Sequence, residues 1–190
     1  MRIFQFAPFL IAGLLALPST AARAAVITHE EVHIQYTWEE FFSAADGREF
    51  QVQIRGNPFA IPPEAFQQAV LAKLQRRSVG PRTTWTVKPA NETNPDQYRL
   101  VLVFGVRNQL GQTLCSQLPS LNPPVTPSPG TIQVAAAYCR GPDPMTEAYA
   151  RTDSTSADDR SFDQLIGELM PVLFPRRPGL RLDPPIFRRD

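Results

Sequence analysis

Apolar and polar residues alternate in two early stretches of the chain. Val32, Ile34, Tyr36 and Trp38 are separated by His33, Gln35 and Thr37, and Phe50, Val52 and Ile54 by Gln51, Gln53 and Arg55. A period of two predicts strands with one buried face. Asp46 and Gly47 between the two runs predict a turn. After Pro62 and Pro63 the period changes to that of a helix: Ala65, Phe66, Ala69, Val70 and Leu74 share one face, Gln67, Gln68 and Lys73 lie opposite, and Gly80 and Pro81 mark its end. A short strand is predicted at 83–88. The run YRLVLVFGV at 98–106 is apolar on both faces and reads as a central strand, with further strands at 112–118 and 131–139. A second helix follows Asp158 and Asp159 as caps, with Phe162, Leu165, Ile166 and Leu169 as its stripe and Pro171 forcing an end or a kink.

The resulting order, β-β-α-β-β-β-β-α, predicts an α+β fold. It is a mostly antiparallel sheet with two helices covering one face, a two-layer sandwich. Residues 25–174 are long enough to form one domain and to bury roughly 70% of the surface of the unfolded chain. Many of the twenty prolines mark two irregular stretches. One is a loop at 119–130, with Pro119, Pro123, Pro124, Pro127 and Pro129. The other is a tail at 175–190, expected to be disordered.

The first 24 residues have a different character. Met1 and Arg2 precede an apolar run from Ile3 to Leu17, shorter than the ~20 residues of a membrane span. Ala22 and Ala24 then form the small-x-small pattern of a signal-peptide cleavage site, so residues 1–24 read as an export signal cut after Ala24. The alternative is an amphipathic first helix retained in the fold, against which the nearly uncharged run argues. Removing 1–24 takes away Arg2 and Arg23 and no acid, which carries the formal charge from +1 to about −1. A chain so near neutrality has no basic footprint for nucleic acid. Charge is uneven, however: the tail holds Arg176, Arg177, Arg181, Arg188 and Arg189 against Asp183 and Asp190. Such a tail could touch an anionic surface, but it reads first as a solvated, disordered end.

Cys115 and Cys139 are the only cysteines. In an exported domain two cysteines are expected to pair, and a redox-active pair is disfavoured because the spacing is not CxxC. Both lie away from the more apolar face of their predicted strands. A simple hairpin from Leu118 to Thr131 would nevertheless set Cys115 near Val134, so two buried reduced cysteines remain the alternative.

HEEVH at 29–33 matches the zinc-peptidase pattern HExxH through His29, Glu30 and His33, and it uses both histidines of the chain. That chemistry needs a helix, where residues four apart reach one ion and the glutamate activates water. On a strand four residues span ~13 Å, too far for one zinc with bonds near ~2.1 Å. A third histidine is absent, and Glu147 or Glu168 would have to serve. The segment therefore reads as two exposed histidines beginning a strand, with no catalytic or metal-ligating residue and no cofactor; a small zinc metallopeptidase is the alternative. There is no GxSxG and no glycine-rich phosphate loop. Asn91, Glu92 and Thr93 read as a polar loop, and Asp158 with Asp159 as caps.

The run from HIQYTWEEFF through RGNPF, the first helix and PDQYRLVLVFG, ending in AAAYCRG and FDQLIGELMPVLFP, resembles the small exported proteins of Gram-negative proteobacteria. The resemblance spans most of the chain after residue 24 and implies periplasmic or envelope residence without a particular activity. The function expected is non-enzymatic binding of a protein or envelope component, in the periplasm or after secretion.

Overall fold

The computed structural model describes residues 25–90, 97–106, 111–117 and 130–177. The expected signal segment, the loop at 119–129 and most of the basic tail lie outside the described residues. Ten elements follow one another: β1 (Val26–Val32), α1 (Trp38–Ala45), β2 (Glu49–Arg55), α2 (Pro63–Arg77), β3 (Thr84–Thr86), β4 (Tyr98–Phe104), α3 (Gly111–Ser116), β5 (Thr131–Arg140), β6 (Asp143–Asp153) and α4 (Arg160–Leu173).

The six strands form one open sheet in the order β1-β6-β5-β4-β2-β3. The first four neighbours pair antiparallel, whereas β4–β2 and β2–β3 pair parallel. The sheet is therefore mixed, which corrects the mostly antiparallel sandwich expected above. The cause is α2: lying between β2 and β3, it supplies the long crossover that parallel neighbours need and a hairpin cannot provide.

Each face of the sheet has its own cover. On the inner face Phe41 and Ala45 of α1, Phe66, Val70 and Leu74 of α2, and Phe162, Leu165, Ile166, Leu169, Met170 and Leu173 of α4 pack on Phe50, Val52, Leu100, Leu102, Phe104, Val134, Ala136 and Tyr138. Tyr138 sits among aromatic rings, with Phe174, Phe41, Phe50 and Tyr36 at centroid distances of 5.2, 5.7, 6.0 and 6.2 Å. On the outer face a smaller cluster of Val101, Val103, Ala135, Ala137, Cys139 and Tyr149 is covered by Leu114 and Cys115 of α3. Helices thus lie on both faces, three inside and one outside, and not two on one face.

Several element assignments change. The alternation at 32–38 is not a strand: β1 ends at Val32, the amide of Tyr36 bonds back to the His33 carbonyl, and Trp38 opens α1. Thr37 caps that helix, its side-chain oxygen accepting from the Glu40 amide at 3.2 Å. Tyr36 is buried not by strand parity but by this turn, and its hydroxyl donates to the Pro175 carbonyl at 3.0 Å. Asp46 and Gly47 follow α1 and lead into β2, so they do not join two strands. Residues 111–116 are helical where a strand was expected, and β6 was not foreseen. In α4 the helix runs through Pro171 and stops two residues later, where the Phe174 amide donates to the Met170 carbonyl. Gly80, at φ +100°, lets the indole of Trp38 lie directly on the backbone after α2, where a Cβ would collide with the ring.

Candidate functional site

The parity of β1 sets His29, Glu31 and His33 in a row on the outer side of the sheet, because every second residue of a strand faces the same way. Among the described residues β1 is an edge strand whose single neighbour is β6, and the register places Glu31 opposite Glu147 and His29 opposite Tyr149. Glu147 therefore lies beside the middle of the row. Its carboxylate is 5% exposed, while His29 is 42%, His33 24% and Glu31 51% exposed.

The four side chains converge. His29 Nε2 stands 3.2 Å from Glu147 Oε1 and 4.0 Å from Glu31 Oε2. His33 Nε2 is 3.8 Å from Glu147 Oε2, and its Nδ1 is 3.9 Å from Glu31 Oε1. His33 Nε2 is buried and has no hydrogen-bond partner among the described residues. The amide of Gly111, at the start of α3, donates to Glu147 Oε2. A side chain at 111 would collide with that carboxylate and with Pro144 Cβ, so glycine is needed for the approach. His29 also leans on the Tyr149 ring at a centroid distance of 5.5 Å. Burial pushes the Tyr149 hydroxyl up to about 12, with the Glu147 charge adding to it.

His29 and His33 are thus placed on and just after a strand, the geometry read from their alternation. They are not simply exposed beginnings of a strand: both face a buried glutamate from the other end of the chain. Glu168, the other acid considered, lies on α4 across the sheet. Glu30 points away by parity, so the HExxH arrangement of a base beside two ligands is not formed. Glu31 and Gly111 were missed by the sequence reading. Glu31 was signalled only by its place midway between the histidines.

The second feature of the outer face is Cys115 with Cys139. Their sulfurs are 1.97 Å apart and their Cα atoms 5.6 Å apart, at disulfide geometry. Cys139 lies on the outer side of β5 as its parity indicated, but Cys115 sits on α3. The register objection disappears because no hairpin joins the two residues; a helix lies over the sheet instead.

Polar ties elsewhere are structural in character. Asp163 of α4 accepts from Arg76 at 2.8 Å and from Arg77, joining α4 to α2. Burial would raise its pKa, but Arg77, Arg76 and Lys73 outweigh it and hold the carboxyl below the usual range. Asp159 is held low by the Thr155 amide, then by Ser154 and Ser156, so it organises the turn before α4 and makes no side-chain cap bond to the helix itself. Glu40 accepts from Tyr98 and Arg140, each at 2.8 Å, anchoring α1 to β4 and β5. Of the basic tail, residues 175–177 are described, and the Arg176 guanidinium lies 5.4 Å from the centre of the Trp38 ring.

No protein-family model matches the chain, and no curated protein is significantly similar to it in sequence. Among solved structures, the PelC dodecamer from Paraburkholderia phytofirmans aligns at 10% identity over 78% of this chain and 97% of that one, with a TM-score of 0.43. A variant of the same PelC in another crystal form aligns at 12% identity over the same shares, with a TM-score of 0.41.

Proposed function

We propose that this chain is an exported, non-catalytic domain that acts in the periplasm or beyond by binding an extended segment of an envelope protein along β1. The observation that carries the binding reading is the edge itself. β1 pairs with β6 on one side, and the apolar side chains of Val26 and Val32 are exposed along it, followed by Ile34 at 101% exposure. An edge strand offers main-chain donors and acceptors to an added strand, and exposed apolar side chains at its ends give that strand something to grip. Export is supported by the small-x-small pattern at Ala22 and Ala24 and by Cys115 and Cys139 standing at disulfide geometry, a bond that persists in oxidising compartments. Among the described residues no helix is long and apolar enough to cross a membrane.

The test is site-specific photocrosslinking in the native host, with the probe at Val26 or at Ile34 and a control probe at Glu64 on α2. A defined protein adduct from both edge positions, absent at Glu64, is the expected result. Adducts independent of position, or none at the edge, would defeat the reading. Export is tested separately by the mass of the periplasmic protein, expected to begin at Ala25.

A further inference from the structure

We propose that His29, Glu31 and Glu147 form a binding site for one divalent transition-metal ion, zinc by the chemistry of the donors. The site does not depend on the partner-binding reading above, since it is complete within one chain.

The first support is distance. The ligand atoms of His29, Glu31 and Glu147 all lie within 4.8 Å of one another. A tetrahedral ion with bonds of ~2.1 Å keeps its donors roughly 3.4 Å apart. The separations of 3.2 Å from His29 Nε2 to Glu147 and 4.0 Å to Glu31 bracket that spacing, so an ion would need only small side-chain adjustments.

The second is charge. Glu31 and Glu147 stand directly opposite on neighbouring antiparallel strands, where like charges destabilise pairing, and Glu147 is buried as well. Among the described residues no lysine or arginine pairs with Glu147; its partners are the Gly111 amide and the two imidazoles. A dication answers both carboxylates at once and binds imidazole in its neutral form. The third is the buried Nε2 of His33, 3.8 Å from Glu147 Oε2, a polar atom beside the cluster that has no hydrogen-bond partner among the described residues. Its lone pair or proton lacks the partner that a buried polar atom normally has.

One imidazole nitrogen and two carboxylates form a borderline donor set, which suits zinc better than magnesium or calcium, both of which take all-oxygen shells. The arrangement differs from a helical HExxH site. Two ligands come from every second residue of an edge strand, a third from the neighbouring strand, and the ion would pin β1 to β6.

The experiment is calorimetric titration of zinc chloride into untagged protein, with metal analysis of the dialysed product and magnesium as control. One zinc per chain is expected, with no response to magnesium. His29→Ala and Glu31→Gln alter exposed side chains and leave folding intact, and each is expected to weaken zinc by at least about tenfold, a loss of the size seen when metal-site partners are removed. Glu147→Gln should do the same, with circular dichroism reporting that the fold survives. No stoichiometric zinc in the wild type, or equal affinity in wild type, His29→Ala and Glu31→Gln, would overturn the proposal. Loss of β1 crosslinks with zinc binding unchanged would defeat the partner reading alone.

Discussion

Replacing Cys115 and Cys139 together with alanine tests what holds the outer layer. α3 has six residues, far fewer than an isolated helix needs to be stable in water. It keeps its place through the bond to Cys139, the burial of Leu114, the Gly111 amide on Glu147, and the Arg99 guanidinium donating to the Cys115 carbonyl. The bond joins residues 24 apart in sequence. For a loop of about 25 residues the chain-entropy model assigns roughly 3.5 kcal/mol. At roughly 2–4 °C per kcal/mol for a domain of this size, the double variant should melt about 7–14 °C below wild type. Reductant should lower wild type by a similar amount and leave the variant unchanged. Thermal unfolding followed by circular dichroism reads both, and hydrogen exchange should show the amides of α3 losing protection before those of β4 and β5. An unchanged melting curve in reductant, together with two titratable thiols in the untreated protein, would refute the reasoning.

Phe41→Ala should cost about 3–5 kcal/mol in urea unfolding, because the ring is fully buried and stacks on Phe174 at 4.1 Å; a loss under about 1 kcal/mol would mean α1 is not part of the core. Replacing His29 and His33 together with alanine leaves the buried Glu147 carboxylate with only the Gly111 amide, and a loss of about 1–3 kcal/mol is expected where two exposed histidines would cost almost nothing. Asp159 and Asp163 both have carboxyls held low in the folded state, so the unfolded chain takes up their protons first. Their contribution is full above about pH 4 and disappears as pH falls through the folded-state values. Asp163→Asn should accordingly destabilise at about pH 7 and approach wild type only as pH falls through the lowered folded-state value of Asp163; a difference that stays constant over the whole acid range would show that ionisation plays no part.

What could be read along the chain were elements whose period matched their burial. β2, β4, α2 and α4 each carry such a pattern and the observed spans agree with it, although in α2 Lys73, expected on the polar face, is buried with its ammonium over Phe162, and Ala65, expected on the apolar stripe, is exposed. The pattern misled where a turn did the burying. Tyr36 enters the core from the turn after β1 and Trp38 from the first position of α1, so an alternation of four residues arose from three different structures. The capping pair Thr37 and Glu40 was the available signal for that helix. β6 escaped because it is buried on both faces with Thr146, Glu147, Ala148 and Ala150 in place of large apolar residues. Missing β6 also concealed the cluster. The estimate that residues four apart on a strand cannot share an ion considered only their own strand. The fitting group instead joins one of the histidines, His29, to Glu31 two positions on and to Glu147 across the ladder from it, and that adjacency is set by a strand more than a hundred positions away.

The cluster and the disulfide are held by the same short helix. Gly111 at its start donates to Glu147, and four residues later Cys115 is bonded to Cys139, which pairs across the ladder with Pro144 of β6. The bond therefore fixes the helix over β5 and β6 at the distance from which its first amide reaches the carboxylate. When the bond is broken the helix is left to the packing of Leu114 and the hydrogen bonds of Gly111 and Arg99, and the amide that orients Glu147 toward His29 is held less firmly. Loss of an orienting partner around a metal typically costs about 10–100-fold in affinity, so zinc should bind the reduced protein at least about tenfold more weakly than the oxidised one. Linkage requires the converse: zinc must stabilise the oxidised over the reduced protein by the same factor, which a thiol–disulfide titration with and without zinc would measure. Equal zinc affinity in both redox states would separate the two features. The disulfide would then act on stability alone, and Glu147 would owe its orientation to β6 and the histidines rather than to α3.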